Sequence, residues 1–335
     1  MRQQRYELAP YLFHRGTNYR VYEYLGVHRS GDHFVFRVWA PRAAAAFAVG
    51  DFNSWSESLP MTRITPGGIW QCEMHSDIFG YGSLYKFKLV SDGEELYRTD
   101  PFGVWFERAE QGAARFFENR HVWQDGGWTA YRASSNTAPV SIYSADISAW
   151  CRRPDGSCRA YTEVAPLIVS QAKSEGHTHV ALHSVFESAP CDDTGLAVTG
   201  FFAPSCQYGD PDDFCALVDY MHRAGVGVIL DWSPVCFSRH ERGLALYDGS
   251  LLYEDRVARR GGDTRFSRFD LARDGVRSFL ISNACFWADR YHIDGLRVCR
   301  PEGWSRTESE KKFYGKLAAE LKKSFPHTLL ITDDE

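Results

Sequence analysis

The sequence lacks the features that mark several classes of protein. It has no run of ~18 uninterrupted apolar residues, so we expect no helix to span a membrane. Met1–Tyr11 is polar and charged and has no apolar core, so we expect no signal peptide. The expected location is therefore the cytoplasm. Basic tracts are missing as well. The formal net charge of −5 gives no reason to expect nucleic acid or an anionic membrane as a partner.

Closely spaced cysteine pairs are also missing. None of the nine cysteines forms a Cys-x-x-Cys motif, and their spacings match no zinc module, so we expect neither a metal nor a cofactor. Without an export signal they are expected to be reduced thiols that pack as small core residues. They are Cys72, Cys151, Cys158, Cys191, Cys206, Cys215, Cys236, Cys285 and Cys299.

Two different patterns divide the 335 residues, of which 44% are apolar. After a lead-in segment over 1–30, residues 31–103 carry short strand-like runs separated by turn residues, which predicts an all-β sandwich. A connector over 104–140 contains three tryptophans that we expect to hold it against a domain. Residues 141–335 then alternate strands with helices, the pattern of a parallel β/α sheet.

Five strands and four helices are predicted in this second part. The strands are Ser141–Ser148, His179–Val185, Gly227–Trp232, Asp294–Cys299 and Thr328–Thr332, and the helices are Glu163–Glu175, Pro211–Ala224, Asp274–Arg290 and Ser309–Phe325. A TIM-type barrel has eight strands, so the predicted fold is multi-domain: a sandwich followed by an incomplete β/α barrel. Two open parallel edges would favour association, which predicts a homo-oligomer or a partner chain that covers them.

The most informative stretch is Tyr291–Arg300, which reads Tyr-His-Ile-Asp-Gly-Leu-Arg-Val-Cys-Arg. It follows a predicted helix and places Arg297 and Cys299 at the C-terminal end of a strand, where β/α barrels carry out chemistry. This stretch resembles the fourth-strand motif of the α-amylase family of glycoside hydrolases, most closely that of the glycogen branching enzymes. The resemblance implies a retaining transglycosylase acting on α-1,4-glucan, with two carboxylates roughly 5 Å apart.

The sandwich adds a second resemblance. The turn Gly50–Trp55, the strand that begins at Leu84 and the exit at Asp100–Phe102 resemble carbohydrate-binding module family 48. This resemblance implies that Trp55 and Lys86 contact glucan, because the C–H groups of a sugar ring pack on a flat aromatic face. Trp70 could offer a similar face. Alternatively, both tryptophans only pack within the sandwich or against the barrel.

Other motifs match the family but differ at the positions that bind sugar. Ala197–Tyr208 resembles the run after the second strand, and Leu196 stands where the family has a sugar-stacking Tyr. Val228–Phe237 resembles the third-strand motif: it keeps Asp231, but Cys236 replaces the substrate-binding His. These residues are candidates for substrate binding together with Arg297. A structural alternative is that Arg297 and Asp231 form an ion pair.

The positions that perform catalysis differ as well. Cys299 stands at the place of the nucleophilic Asp, and Leu330–Asp334 resembles the fifth-strand motif with Asp333 at the place of the acid/base Glu. A neutral thiol gives no electrostatic stabilisation, and Asp is one methylene shorter than Glu. We therefore expect an α-glucan-recognising family member with impaired catalysis. Two alternatives remain: an active branching enzyme completed by a partner chain, and a structural or regulatory partner that binds no sugar.

Overall fold

A computed structural model describes residues 2–108, 112–134, 139–190, 192, 194–256 and 265–332, with side chains from residue 8 onward. The helices are α1 (Arg2–His14), α2 (Gly126–Ser134), α3 (Ile147–Cys151), α4 (Tyr161–Ser174), α5 (Pro211–Arg223), α6 (Asp274–Arg290) and α7 (Glu308–Ser324).

Seventeen strands lie within the described residues. They are β1 (Gly26–Ser30), β2 (His33–Trp39), β3 (Ala45–Gly50), β4 (Thr62–Arg63), β5 (Ile69–His75), β6 (Leu84–Ser91), β7 (Glu94–Arg98), β8 (Ala114–Arg115), β9 (Ile142–Asp146), β10 (His179–His183), β11 (Phe186–Ser188), β12 (Val198–Pro204), β13 (Gly227–Trp232), β14 (Cys236–Ser238), β15 (Phe266–Arg268), β16 (Gly295–Val298) and β17 (Leu329–Ile331).

The first part of the chain is a sandwich of two antiparallel sheets. One sheet has the order β1-β2-β5-β4, and the other has the order β3-β6-β7 with β8 paired to β6. Aromatic side chains fill the space between the sheets: Phe36 and Phe87 are fully buried, and Phe79 packs edge-on to Phe36. Alternation along β6 turns Phe87 inward and its neighbour Lys86 outward.

The second part is an open parallel sheet in the order β17-β16-β13-β10-β9, so the successive strands of this sheet lie side by side. The predicted half of a β/α barrel is therefore confirmed. Helices α4, α5, α6 and α7 precede β10, β13, β16 and β17 in turn. Strand β13 begins with the apolar run Gly-Val-Ile-Leu, typical of a strand with both faces covered, and ends with Asp231 and Trp232.

Local signals explain where the helices begin. Asp210 caps α5 by accepting a hydrogen bond from the Asp213 amide, and Pro211 occupies the first turn. Thr307 caps α7 in the same way through the Glu310 amide. No helix in the described part of the chain is long and apolar enough to cross a membrane.

Three features of the structure have no clear signal in the sequence. The lead-in segment contains α1. The connector contains helix α2, whose Trp128 is buried. Asp294, directly before β16, is only 1% exposed, and its carboxylate accepts hydrogen bonds from Trp128, His222 and the Val228 amide.

The sandwich and the half-barrel are fastened together by hydrogen bonds. Arg98 on β7 donates to the carbonyl oxygens of Leu246 and Tyr247 in the loop between β14 and β15. Asp248 in the same loop accepts from the Arg42 amide at 2.8 Å. Because Arg98 and Asp248 are both at the domain boundary, the sandwich is held close to the C-terminal ends of the barrel strands.

Candidate functional site

The candidate site lies at the C-terminal ends of β10, β13 and β16. The register places Asp231 on β13 directly opposite Arg297 on β16. The Arg297 Nε and Nη2 atoms donate to the two carboxylate oxygens of Asp231 at 2.6 and 2.7 Å. The third nitrogen, Nη1, donates to the Ser144 hydroxyl on β9 at 3.1 Å. The predicted ion pair is therefore present, in the two-pronged geometry that arginine favours with carboxylates.

His183, at the end of β10, completes this cluster and was not singled out in the sequence. Its Nδ1 atom lies 3.2 Å from the Asp231 carboxylate, and its Nε2 atom lies 2.9 Å from the Thr194 carbonyl oxygen. Neither partner has a hydrogen to donate, so both contacts are hydrogen bonds only in the form of the imidazole that carries a proton on each nitrogen. A polar residue at the last position of a buried strand was the signal that could have identified it.

The charges in the cluster alter its pKa values. The hydrogen bond to Asp231 raises the pKa of His183 above its usual value. Burial acts to raise the pKa of Asp231, but the hydrogen bonds from His183 and Arg297 outweigh it and lower that pKa. Asp231 is therefore ionised at neutral pH, and both of its oxygens already contact Arg297 or His183.

Cys299 follows β16 immediately and lies beside this cluster. Its backbone amide donates to the Trp232 carbonyl at 2.8 Å, which continues the pairing of β16 with β13. Its thiol is partly buried and lies 3.7 Å from the Arg297 carbonyl oxygen. The residue at the predicted nucleophile position thus lies at the C-terminal end of its strand. Asp333, the predicted acid/base position, lies outside the described residues.

Cys236 and Leu196 do not join the polar cluster. Cys236 is fully buried, and its thiol lies 3.1 Å from the Ser233 hydroxyl. Leu196 packs on the same small apolar cluster, which also contains Val235 and Phe266, with Trp304 at its edge. The two positions where the resemblance implies a His and a Tyr that hold sugar are therefore brought together, as part of an apolar cluster.

The sandwich presents Trp55 and Lys86 in different surroundings. Trp55 is 37% exposed, while Trp70 is buried and donates to the Ala40 carbonyl, so Trp70 is a packing residue. Ser54 and Trp55 both have left-handed backbones, with φ of 51° and 61°. Lys86 is half-buried, which lowers its pKa, and the charges of Glu107 and Glu241 face it from the connector and the barrel.

The opposite end of the barrel strands carries a separate network. His222 is buried between two carboxylates: its Nδ1 lies 3.0 Å from Asp125 and its Nε2 lies 2.9 Å from Asp294. His292 also contacts Asp125, at 2.8 Å. A cavity of about 550 Å³ lies next to this network and is lined in part by Trp128. At this face of a β/α barrel such contacts favour stability rather than chemistry.

Two kinds of comparison place these features among known proteins. Residues 24–103 match the family model of carbohydrate-binding module 48, the isoamylase N-terminal domain. The 1,4-alpha-glucan branching enzyme GlgB of Rubrobacter xylanophilus is 41% identical over 299 residues, which cover 86% of this chain and 41% of that protein. The enzyme of the same name from Fusobacterium nucleatum is 33% identical over 98% of this chain and 55% of its own length.

Solved structures show the same fold. A putative alpha amylase from Salmonella typhimurium superposes with a TM-score of 0.73 at 19% identity, over 92% of this chain and 49% of its own. A pullulanase from Paenibacillus barengoltzii, solved with maltohexaose and alpha-cyclodextrin, gives a TM-score of 0.68 at 18% identity, over 92% and 52%. The chain thus spans about half the length of the relatives that it matches.

Proposed function

Because this chain is a homologue of the 1,4-alpha-glucan branching enzymes and carries a carbohydrate-binding module 48 domain, we propose that it recognises α-1,4-glucan with its branching activity lost or severely impaired. In this proposal Asp231 and Arg297 line the glucan site, and Trp55 with Lys86 forms a second contact on the sandwich. Cys299 and Asp333 occupy the nucleophile and acid/base positions without performing those roles.

The observation that carries the proposal is the contrast between Cys299 and its neighbours. The Asp231–Arg297 pair beside it is intact, yet the position that the resemblance assigns to the nucleophilic carboxylate holds the Cys299 thiol. A retaining mechanism requires an anion that attacks the anomeric carbon and then leaves again. An ordinary thiol is mostly protonated at neutral pH, so it offers no negative charge to stabilise a positively charged transition state. Removing a catalytic nucleophile costs several orders of magnitude in rate.

The apolar surroundings of Cys236 support the same conclusion. A sugar held in the active site needs hydrogen bonds to its hydroxyl groups, and Cys236 and Leu196 supply none there. The retained Arg297 is engaged by Asp231 and Ser144. The transition state would therefore gain less stabilisation than the family's reaction requires.

Glucan recognition is supported by the loop that carries Trp55. The Asn53 side chain holds this loop through hydrogen bonds to the Gly50 amide and to the carbonyls of Ala48 and Ser56. The left-handed backbone at Trp55 is uncommon for an aromatic residue, and such strain often accompanies function. A fixed, exposed indole is suited to stacking against a sugar ring.

Affinity electrophoresis tests the recognition half of the proposal. We expect the protein to migrate more slowly in a native gel that contains amylopectin than in a gel without it, while a non-binding reference protein moves equally in both. Unchanged migration would contradict glucan recognition and favour the structural or regulatory partner. Retarded migration together with new α-1,6 linkages would favour an active branching enzyme.

A partner chain is the remaining part of the proposal. In the described part of the chain, β9 and β17 each pair with a strand on one side only. Such edges favour association with another copy of this chain or with a branching enzyme. Light scattering on this sequence is expected to give more than the monomer mass, and a monodisperse monomer would contradict that expectation.

A further inference from the structure

A lysine on the outer face of the sandwich is almost completely covered by its neighbours. Because side chains alternate along β6 and Phe87 turns inward, Lys88 points outward, as Lys86 does. The Lys88 ammonium pairs with the carboxylate of Glu57 and, at 2.7 Å, with that of Glu95. Its side chain is consequently only 5% exposed, although it lies on an outer face.

The contacts of Lys88 come from two separate elements of the sandwich. Glu57 belongs to the loop after β3 that carries Trp55, whereas Glu95 lies on β7. Tyr97, also on β7, lies directly opposite Lys88 in the strand register, and the Lys88 ammonium is 5.4 Å from the centre of the Tyr97 ring. Lys88 therefore joins the Trp55 loop and the strand of Tyr97 at one point on β6.

The strand register places these residues in one row across the sheet. Phe47 on β3 lies opposite Lys88, and Lys88 lies opposite Tyr97. The loop that carries Trp55 returns along the other side of β3, where Pro60 pairs with Phe47. The loop, β3, β6 and β7 therefore follow one another in a fixed order, with Trp55 on the loop at one side of the row and Tyr97 at the other.

Two exposed aromatic side chains accompany two exposed acids on this surface. Tyr97 is 47% exposed and Trp55 is 37% exposed. Glu57 and Glu95, which hold Lys88, are exposed as well. One exposed aromatic ring is common on a protein surface, but rings beside carboxylates suit a sugar chain in particular. The C–H groups of a sugar pack on a ring, and its hydroxyl groups donate to carboxylate oxygens.

The charges at Lys88 favour an uncharged ligand. The hydrogen bonds with Glu57 and Glu95 raise the pKa of Lys88, so the ammonium keeps its charge and continues to hold both acids. The two carboxylates already balance the one cation, so Lys88 has no positive charge left over for an anionic ligand. The hydroxyl groups of a neutral sugar fit this surface better than a phosphate does.

We propose that Tyr97 is a second sugar-stacking residue and that one α-1,4-glucan chain spans Trp55 and Tyr97. Glu57 and Glu95 accept hydrogen bonds from the hydroxyl groups of this chain. Lys88 is a positioning residue, because it holds the loop and β7 in place before the sugar binds and so reduces the entropic cost of binding. This inference rests on the glucan recognition proposed above and adds the residues by which the sandwich contributes to it.

Affinity electrophoresis of the whole chain at several amylopectin concentrations gives a Kd for each variant. Tyr97→Ala should raise the Kd about threefold to tenfold, the effect of one aromatic stacking contact, and Tyr97→Phe should bind like the native protein because it keeps the ring. Tyr220→Ala, which removes an exposed tyrosine from α5, is the control and should leave the Kd unchanged.

The outcomes separate this contact from the proposed function as a whole. If amylopectin retards the native protein and Tyr97→Ala equally, the second contact is overturned and glucan recognition stands. A Kd that rises as much in Tyr97→Phe as in Tyr97→Ala would contradict stacking on the ring. A native protein that amylopectin does not retard would contradict the proposed function, and this contact with it.

Lys88 and the length of the sugar provide a second test. Lys88→Met should raise the Kd for amylopectin, and Lys88→Arg, which keeps the charge, should restore it; urea midpoints of both variants separate a loss of folding from a loss of position. Maltoheptaose should release the native protein from amylopectin at a concentration at which glucose does not, because one sugar cannot reach both rings. An unchanged Kd in Lys88→Met would contradict its positioning role, and equal competition by the two sugars would contradict a chain that spans Trp55 and Tyr97.

Discussion

Asp231 and Arg297 join two neighbouring barrel strands through a pair of hydrogen bonds of 2.6 and 2.7 Å. Asp231 is 6% exposed at its side chain, and Arg297 is 29% exposed. The pair therefore links β13 to β16. In the proposed function it also lines the glucan site. Because its partners are fixed by strand register, its geometry does not depend on a bound sugar.

Asp231→Asn should destabilise the protein strongly. The change leaves the Arg297 and His183 cations without their shared counter-ion, and breaking a buried pair in this way typically costs about 3–5 kcal/mol. Urea denaturation followed by circular dichroism measures the free energy of unfolding. The matched control is Glu118→Gln, which breaks an exposed pair with Arg29 and should cost less than about 1 kcal/mol. Equal effects of the two changes would contradict the structural role of Asp231.

His183 should make stability depend on pH in a defined direction. Its pKa is raised by Asp231, so its contribution is fully present below the unfolded pKa of about 6.5 and is lost as pH rises through the folded value. His183→Gln should therefore reduce the free energy of unfolding by on the order of 1–2 kcal/mol near pH 6 and by less above pH 8. If the difference in the free energy of unfolding between the native protein and His183→Gln grew with pH, His183 would be neutral in the folded state.

Asp125 should make a contribution to stability that is lost as pH falls, whereas the contribution of His183 is lost as pH rises. Burial acts to raise its pKa, but the hydrogen bonds from His222 and His292 outweigh burial and lower the pKa to about 2. The contribution is therefore present above the unfolded pKa of about 3.9 and is lost as pH falls towards 2. Asp125→Asn should lower the urea midpoint clearly at pH 7 and much less at pH 3. A constant difference across this range would contradict the assignment.

Trp55→Ala should weaken glucan binding without unfolding the sandwich. The indole is exposed and lies outside both apolar cores, so its loss removes a stacking surface at little cost in packing. The expected result is a smaller retardation by amylopectin in affinity gels. Trp70→Phe is the control, because Trp70 is buried and should change stability rather than binding. Equal migration of Trp55→Ala and the native protein would remove Trp55 from the binding site.

Much of the fold could be predicted because its signals are local. The bounds of α6 and β13 match the sequence pattern at both ends, since helical spacing and a continuous apolar run leave little choice. No comparable signal predicts α2, which includes two glycines and in which Trp128 donates a hydrogen bond to Asp294. Contacts between residues far apart in the chain decide such cases.

In the candidate site, too, some contacts could be predicted from the sequence and others could not. The pairing of Arg297 with Asp231 could be expected, because both positions stand out in motifs of adjacent strands. The contact of His183 with Asp231 could not be expected, because it forms only when β10 and β13 lie side by side. Likewise, the resemblance implies glucan contact for Trp55, but the burial of Trp70 is known only from the structure, where β5 pairs with β2.

The proposed loss of catalysis is tested most directly by incubating the purified protein with amylose. Iodine absorbance and the count of α-1,6 linkages should stay unchanged, as in a sample without protein. The Cys299→Asp, Asp333→Glu double variant, run in parallel, shows whether restoring the two carboxylates returns any activity. New α-1,6 branches made by the native sequence would mean that another group supplies the missing carboxylate, and the account of an impaired enzyme would be wrong.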